Sequence, residues 1–318
     1  MDTRFDNIAP SAGRLRTGIS LHAIFANRAW LWILPAFALV AEGLIASTSA
    51  LAGVSLYAMA VVAILVYLSR SAPNSGPHHL PQAFLAFVVI RLLGATLAFA
   101  PMPRVWQVAC IAVASAAAVA IAAGNVKFQV RPQYGANTVS GMLLQLAAVV
   151  FGIALGGIFF ALQDMQLIPR TMVIPLSSSA FEMTLGLSAA MLFGIVEEVL
   201  FRRILLRSVE PAMGIAGTLF VASLQAVLLV GYLSPVAIAF SIFTGMVFGL
   251  IARSTGSILG VALGHGFANL IAVYVGPLFG CENILPVALA TAVLAVLLTA
   301  GAAWASNKTL RLRGKEAQ

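Results

Sequence analysis

Ten apolar segments, each long enough to cross a lipid bilayer, account for most of this 318-residue chain. An α-helix needs about 17–25 predominantly apolar residues to span the hydrocarbon core. Only 9% of the residues are charged, whereas soluble domains carry roughly 25%. The chain is therefore predicted to fold as an all-α, polytopic membrane bundle of about ten transmembrane helices. The predicted spans are about 29–48, 51–69, 82–101, 105–124, 140–163, 179–201, 213–233, 235–253, 256–278 and 283–305.

The positions of lysine and arginine predict the orientation of these helices, because loops rich in the two residues stay on the cytoplasmic side. With the N-terminus inside, the outside loops contain only Arg104 and Arg170, and Arg91 lies within a span. This asymmetry predicts that both termini are cytoplasmic, N-in and C-in. The remaining 15 of the 18 basic residues fall in cytoplasmic segments: Arg4, Arg14, Arg16, Arg28, Arg70, Lys127, Arg131, Arg202, Arg203, Arg207, Arg253, Lys308, Arg311, Arg313 and Lys315.

Two adjacent glutamates lie near the end of the sixth apolar segment. Glu197 and Glu198 are followed by Arg202, which shares a helix face with Glu198 one turn away. An acidic residue costs roughly 2.5–3.5 kcal/mol at mid-bilayer, so charges in a span indicate a function. One interpretation is that Arg202, Arg203 and Arg207 extend to the lipid headgroups and the glutamates accompany them. Arg202 needs only one carboxylate, however, so the second glutamate favours a general base.

A second polar pair lies within the ninth segment. His265 and Asn269 are four residues apart and therefore lie on one face of a helix, deep in apolar sequence. Alone, such a pair is explained by hydrogen bonds that hold two membrane helices together, worth about 0.6 kcal/mol each. Beside two glutamates, the imidazole and the amide complete the groups needed to activate water and hold an oxyanion.

Glycines at helical spacing predict close helix packing, because small residues let helix backbones approach each other in lipid. The three glycines of the ninth segment are in register directly before His265, which favours a tight contact there. The spaced glycines are Gly152 and Gly156, Gly245 and Gly249, and Gly256, Gly260 and Gly264.

Arg91 lies midway along the third segment, where a charge needs a partner. We predict a structural ion pair with Glu42 or Glu182. Contact with a carboxylate of a substrate is the alternative.

No cofactor, metal or nucleic-acid partner is predicted. Cys110 lies in an apolar run and Cys281 in a loop, which is not the pattern of a disulfide or a metal site. The H-E-x-x-H spacing of zinc proteases is absent, and one intramembrane histidine is too few for the usual ligand set.

The two motifs resemble those of the CAAX-protease and bacteriocin-processing (CPBP) family of intramembrane glutamic endopeptidases. The family's E-E-x-x-x-R motif is matched by residues 197–202, Glu-Glu-Val-Leu-Phe-Arg. Its H-x-x-x-N motif is matched by residues 265–269, His-Gly-Phe-Ala-Asn, and the run from 249 to 260 is also similar to the family. The resemblance covers roughly residues 193–277.

This resemblance implies an intramembrane endopeptidase that hydrolyses a peptide bond of a membrane-associated or prepeptide substrate. Glu197 would be the base that activates water, with Glu198 and Arg202 orienting it. His265 and Asn269 would position the water or stabilise the tetrahedral oxyanion. The implied partners are a peptide or protein substrate with a membrane segment and the lipid bilayer.

The chain is accordingly divided into four parts: a cytoplasmic N-terminal segment (1–28), accessory transmembrane helices (29–139), a CPBP-like catalytic core (140–280), and a last helix with a basic cytoplasmic tail (281–318). The first 28 residues lack the apolar core and cleavage site of a signal peptide. The first span is therefore expected to be an uncleaved anchor, and the protein is expected in the inner membrane of a bacterium or an equivalent membrane.

The sequence departs from the family at the middle motif, F-x-x-x-H, because this part of the chain has no histidine before His265. Two alignments place the position at Leu224 or at Leu233. Gln225 or Tyr232 could supply a polar group nearby. The departure favours the alternative function of a non-catalytic membrane scaffold or immunity protein. A small-solute transporter would need inverted repeats, and the two halves of the chain show no convincing match.

Overall fold

A computed structural model describes residues 21–47, 50–70, 79–98, 100–124, 138–169, 179–227 and 234–316. Every regular element in these ranges is helical, which confirms the predicted all-α bundle. The elements form ten continuous helices, because two of the helices pass through a π-helical segment without interruption. They are α1 (Leu21–Ala46), α2 (Ala50–Arg70), α3 (His79–Ala98), α4 (Arg104–Gly124), α5 (Val139–Asp164), α6 (Ala180–Glu198), π1 (Val199–Leu205), α7 (Leu206–Met213), α8 (Ala216–Val227), α9 (Pro235–Thr255), α10 (Leu259–Leu270), π2 (Ile271–Val275), α11 (Gly276–Phe279) and α12 (Cys281–Glu316).

Eight helices within the described ranges are long and apolar enough to cross a membrane. The apolar part of α1, residues 31–46, and the whole of α8 are shorter. The longest span is Ala180–Glu210, which contains both glutamates of the first motif.

The sixth helix is longer than the sequence predicted. Instead of ending near residue 201, it continues through π1 and α7 to Met213. The Leu206 N–H donates to the Phe201 carbonyl, five residues earlier, which is the hydrogen bond of a π-helix. The prediction of a helix end at the first motif is therefore wrong, and the glutamates lie in the middle of a continuous helix.

The largest buried apolar cluster joins α1, α2 and α3 to π1, α7 and α8. Within it, the Phe87 ring of α3 meets the Phe201 ring of π1 edge to face, with centroids 6.3 Å apart. The early helices thus pack directly against the helix that carries the first motif.

Close packing of α5 and α10 follows the glycine spacing. A Cβ on Gly152 would overlap the backbone of Gly264, so the two helices are in backbone contact there. Gly260 lies in the same interface, against Gln145. Gly256 is different, because it precedes α10 and ends α9 in the left-handed conformation, with φ 68°. The prediction that all three glycines share one helix contact is therefore wrong for Gly256.

Polar contacts distinguish the two ends of the bundle. At one end, Arg253 of α9 pairs with Glu210 of α7, with Nε 3.0 Å from Oε1. At the other end, the Ser234 hydroxyl, just before α9, donates to the Leu167 carbonyl, just after α5, at 3.1 Å. The chain therefore crosses from the first end, at α7, to the second end, where α9 begins. The assignment of the first end to the cytoplasm stays a prediction.

Candidate active site

The helices that carry the two motifs touch through glycine. A Cβ on Gly194 of α6 would lie 2.7 Å from the Gly266 nitrogen of α10, a distance that a real side chain does not tolerate. Gly194 precedes Glu197 by three residues, and Gly266 directly follows His265. The glycine contact therefore brings the backbones close enough for the glutamates and the histidine to meet.

His265 lies between the two glutamates. Its Nδ1 is 2.8 Å from Oε1 of Glu198, and its Nε2 is 3.3 Å from Oε2 of Glu197. Residues predicted from two separate motifs, 67 positions apart, thus form one cluster.

The two glutamates differ in exposure. The Glu198 side chain is 0% exposed, whereas the side chains of Glu197 and His265 are each 17% exposed. Glu197 is therefore the carboxylate that a water molecule or a substrate can reach.

Both contacts of His265 can be hydrogen bonds only if the cluster carries one proton more than a neutral imidazole supplies. A neutral imidazole has a single N–H and can donate to only one carboxylate. The second contact becomes a hydrogen bond when a further proton lies on the ring or on the facing carboxyl group. The arrangement can therefore hold and pass a proton between Glu197 and His265.

Arg202 is buried beneath Glu198. Its side chain is 1% exposed, its Nε lies 3.2 Å from Oε2 of Glu198, and its Nη2 donates to Oε1 of Gln225 at 2.6 Å. The interpretation that Arg202 extends to the lipid headgroups is therefore wrong. Arg203, the next residue, is exposed.

Asn269 lies near the cluster but does not bond to the glutamates. Its Nδ2 donates to the Ala190 carbonyl of α6 at 3.3 Å, so it links α10 to α6 one turn beyond His265. One of its two amide N–H groups is used in this bond.

The structure describes only one of the two candidate positions for the middle-motif histidine. Leu224 is buried in the apolar cluster of the early helices. Leu233 and Tyr232 lie outside the described residues. The neighbouring Gln225 is buried and binds Arg202. The sequence indicated Gln225 as a polar group next to Leu224, but it did not indicate the bond to Arg202.

Arg91 pairs with Glu42, which confirms one of the two predicted partners. Arg91 Nε and Nη2 donate to the two carboxylate oxygens of Glu42, each at 2.6 Å. Tyr57, which the sequence analysis did not single out, donates to Oε1 of Glu42 at 2.7 Å. Its role depends on the packing of α2 against α1, which the sequence of α2 alone does not indicate.

Residues 179–271 match the family model for type II CAAX prenyl endopeptidase Rce1-like proteins. The similarity covers the segment that carries both motifs. This match confirms the resemblance to the CPBP family, and it covers less than a third of the chain. The matched segment contains Glu197, Glu198, Arg202, His265 and Asn269. With eight helices in the described ranges able to span a bilayer, the protein is a multi-pass membrane protein with a segment similar to a protease family.

Neither the curated proteins nor the solved structures gave a match to the chain.

Proposed function

We propose that the protein is an intramembrane endopeptidase that uses Glu197 to activate water and hydrolyse a peptide bond of a membrane-associated or prepeptide substrate. The observation that carries the proposal is the unequal setting of the two glutamates. Glu198 is fully buried between Arg202 and His265, whereas Glu197 is partly exposed and faces one ring nitrogen. The first setting suits a group that holds others in place, and the second suits a base.

In the proposed reaction, the Glu197 carboxylate takes a proton from water while the water oxygen adds to the carbonyl carbon of the scissile bond. The resulting tetrahedral species then loses its amine as the C–N bond breaks, and the proton passes to the leaving nitrogen. His265 stays beside Glu197 during the proton transfer. Glu198 and Arg202 fix the ring through Nδ1.

In the proposed mechanism Asn269 stabilises the oxyanion with the amide N–H that is not bonded to Ala190. Removing one preorganised donor of this kind costs about 10²–10³ in kcat in other acyl-transfer enzymes. Its bond to α6 also keeps the amide beside the cluster.

The division of the chain follows from this proposal. Residues 140–280 form the catalytic core, and residues 29–139 are accessory helices that pack against π1 through α3. The lipid bilayer surrounds the protein, in the inner membrane, and brings the membrane segment of the substrate to the site.

A second candidate is a non-catalytic membrane scaffold or immunity protein. The observation that favours it is the replacement of the middle-motif histidine, since Leu224 lies in apolar surroundings. Both candidates bind a peptide at the same cluster, and only the first cuts it.

Glu197→Gln tests the choice, because glutamine keeps the size of the side chain but cannot accept the proton of water. General-base catalysis contributes about 10²–10⁴-fold, so the variant should lose nearly all activity. The measurement is mass-spectrometric profiling of protein termini in membranes from cells that express wild type or variant. Glu182→Gln, at the start of the same helix, is the matched control and should leave the profile unchanged. Identical termini with wild type and a well-expressed Glu197→Gln protein would support the scaffold.

A further inference from the structure

A second buried polar cluster lies in the early helices, outside both motifs and outside the residues matched by the family model. It consists of Glu42 of α1, Tyr57 of α2 and Arg91 of α3. Glu42 and Tyr57 are buried, whereas the Arg91 side chain is 25% exposed. The carboxylate fixes the guanidinium through two bonds of 2.6 Å, and Tyr57 fixes the carboxylate. The cluster therefore presents one arginine in a fixed orientation.

Arg91 lies close to the reaction site. It follows Phe87 by one helical turn, and Glu197 precedes Phe201 by one turn. Phe87 and Phe201 are in ring contact, and the end of α3 lies towards the start of α6, because Trp106 at the start of α4 meets Phe181. Arg91 and the proposed base therefore lie on the same side of the Phe87–Phe201 contact, each one turn away from it.

Several N–H groups of the Arg91 guanidinium are not used in the bonds to Glu42. Arginine carries five N–H groups in a planar fork. The bonds to Glu42 use one on Nε and one on Nη2, and Nη1 makes no hydrogen bond to any residue in the described ranges. The side chain is partly exposed, and the unused N–H groups of Nη1 and Nη2 can bind both oxygens of a second carboxylate.

We propose that Arg91 binds a carboxylate of the substrate peptide and so positions the scissile bond beside Glu197. The proposal rests on the proposed function and adds the chemical class of the group that the substrate presents. A carboxylate that approaches an ionised Glu197 is repelled by it, and charge-assisted hydrogen bonds from Arg91 would offset this repulsion.

The carboxylate has two possible sources. It is either the free C-terminus of the peptide or the side chain of an aspartate or glutamate near the scissile bond. Both bind a guanidinium in the same two-pronged geometry. The experiment separates them.

Binding is measured with two pairs of probes on the purified protein in lipid nanodiscs. The first pair is N-dodecanoyl tetra-alanine as the free acid and as the carboxamide. The second pair is N-dodecanoyl Ala-Ala-Asp-Ala carboxamide and its Asn analogue. Probe-dependent shifts in the unfolding midpoint give apparent Kd values, and mass spectrometry confirms that the probes are intact. The assay measures binding and does not depend on cleavage. Its result can therefore be distinguished from the test of the proposed function, in which Glu197→Gln should abolish proteolysis.

The test variant is Glu42→Gln combined with Arg91→Gln, which removes both charges and leaves no unpaired buried carboxylate. Arg104→Gln, an exposed arginine at the start of α4, is the matched control. Wild type and the control should bind the acid about tenfold or more tightly than the neutral partner in one pair, as for one charge-assisted hydrogen bond. In the double variant this ratio should fall to about one.

The pair that shows the preference identifies the source of the carboxylate. No preference in either pair, no binding of any probe by wild type, or an unchanged ratio in the double variant would overturn the proposal. A structural role alone would lower the unfolding midpoint of the free protein without changing the ratio.

Discussion

Among the side chains of the site, each polar group is held by the next. Gln225 binds Arg202, Arg202 pairs with Glu198, Glu198 binds His265, and His265 faces Glu197. The series starts with three buried residues and ends with two partly exposed ones. The buried residues therefore hold the side chains of the site in position, and the partly exposed His265 and Glu197 can contact water or substrate.

Gln225→Leu should test the buried end of this series. The change removes the acceptor of Arg202 Nη2 and leaves a buried charged donor without its partner. Hydrogen bonds to charged groups are worth about 1.5–3 kcal/mol, so we expect a loss of stability of that size. Cleavage should fall as well, because Arg202 then holds Glu198 less firmly. Unfolding in nanodiscs and profiling of protein termini measure the two effects.

Leu224→Met is the control for this substitution. Leu224 is buried beside Gln225 but faces the apolar cluster, and a volume-conserving exchange there should cost less than about 1.5 kcal/mol. Gln225→Glu keeps an acceptor and should retain more activity than Gln225→Leu. Wild-type stability and cleavage in Gln225→Leu would show that the bond to Arg202 plays no part in the site.

Much of the reactive cluster was predictable from local spacing. Glu198 and Arg202 lie one turn apart, so any helix places them on one face, and the ion pair forms although π1 widens the winding. The contact with His265 was expected from the chemistry of the two motifs taken together and from the resemblance, because spacing within one helix does not predict it. Gln225 was not assigned to Arg202, because the face that α8 turns to π1 depends on the packing of the whole bundle. Asn269 likewise binds a backbone carbonyl that side-chain motifs do not reveal.

Among the helices, the contact between α6 and α10 determines whether the motifs meet. The Gly194 and Gly266 contact allows a backbone distance at which short side chains connect the two helices. We expect Gly194→Ala to push the helices apart, because its Cβ would meet backbone atoms that cannot rotate away. The cost of such overpacking is about 1–3 kcal/mol. A displacement of about 1 Å at the site can also reduce activity by about 10²-fold.

Gly301→Ala in α12 is the matched control for Gly194→Ala. A Cβ at Gly301 would lie 3.9 Å from Leu143 Cδ1, which is ordinary van der Waals contact. This variant should be as stable as wild type or slightly more so, because alanine favours the helix over glycine. Thermal unfolding of the two variants in nanodiscs makes the comparison, and equal behaviour would mean that the α6–α10 contact adapts without loss.

The length of the helix with the glutamates was not predictable from composition. Arg203, Arg207, Glu210 and a following proline are typical of a chain leaving the membrane. In the structure the helix continues, and two of these residues, Glu210 and Arg207, have partners on α9 and just after it. Glu210 pairs with Arg253, and Arg207 donates to the Gly256 carbonyl at 3.4 Å. Such partners come from residues about 45 positions away, which a pattern within one segment does not contain.

For the molecule as a whole, the distribution of arginine agrees with the two ends of the bundle. Arg253 lies at the end where α7 and α9 meet. The start of α5 lies at the same end, because Gln145 donates to Thr255 at 2.7 Å. Arg104 lies at the start of α4, where Trp106 meets Phe181 at the start of α6 with ring centroids 6.0 Å apart. Basic residues predicted inside and outside thus lie at different ends.

Cysteine labelling should determine which end faces the cytoplasm. Single cysteines at Met165 and Val139, both exposed and at opposite ends of α5, are introduced into a protein with Cys110→Ala and Cys281→Ala. Because basic loops remain inside, a membrane-impermeant maleimide should label Met165→Cys in intact cells and Val139→Cys only after lysis. A cysteine at Lys315 should behave like the one at Val139, since an even number of crossings returns the chain to the side of its N-terminus. The reverse pattern would place the α7–α9 end outside. It would contradict the prediction of cytoplasmic termini, and the charge asymmetry would then need another cause.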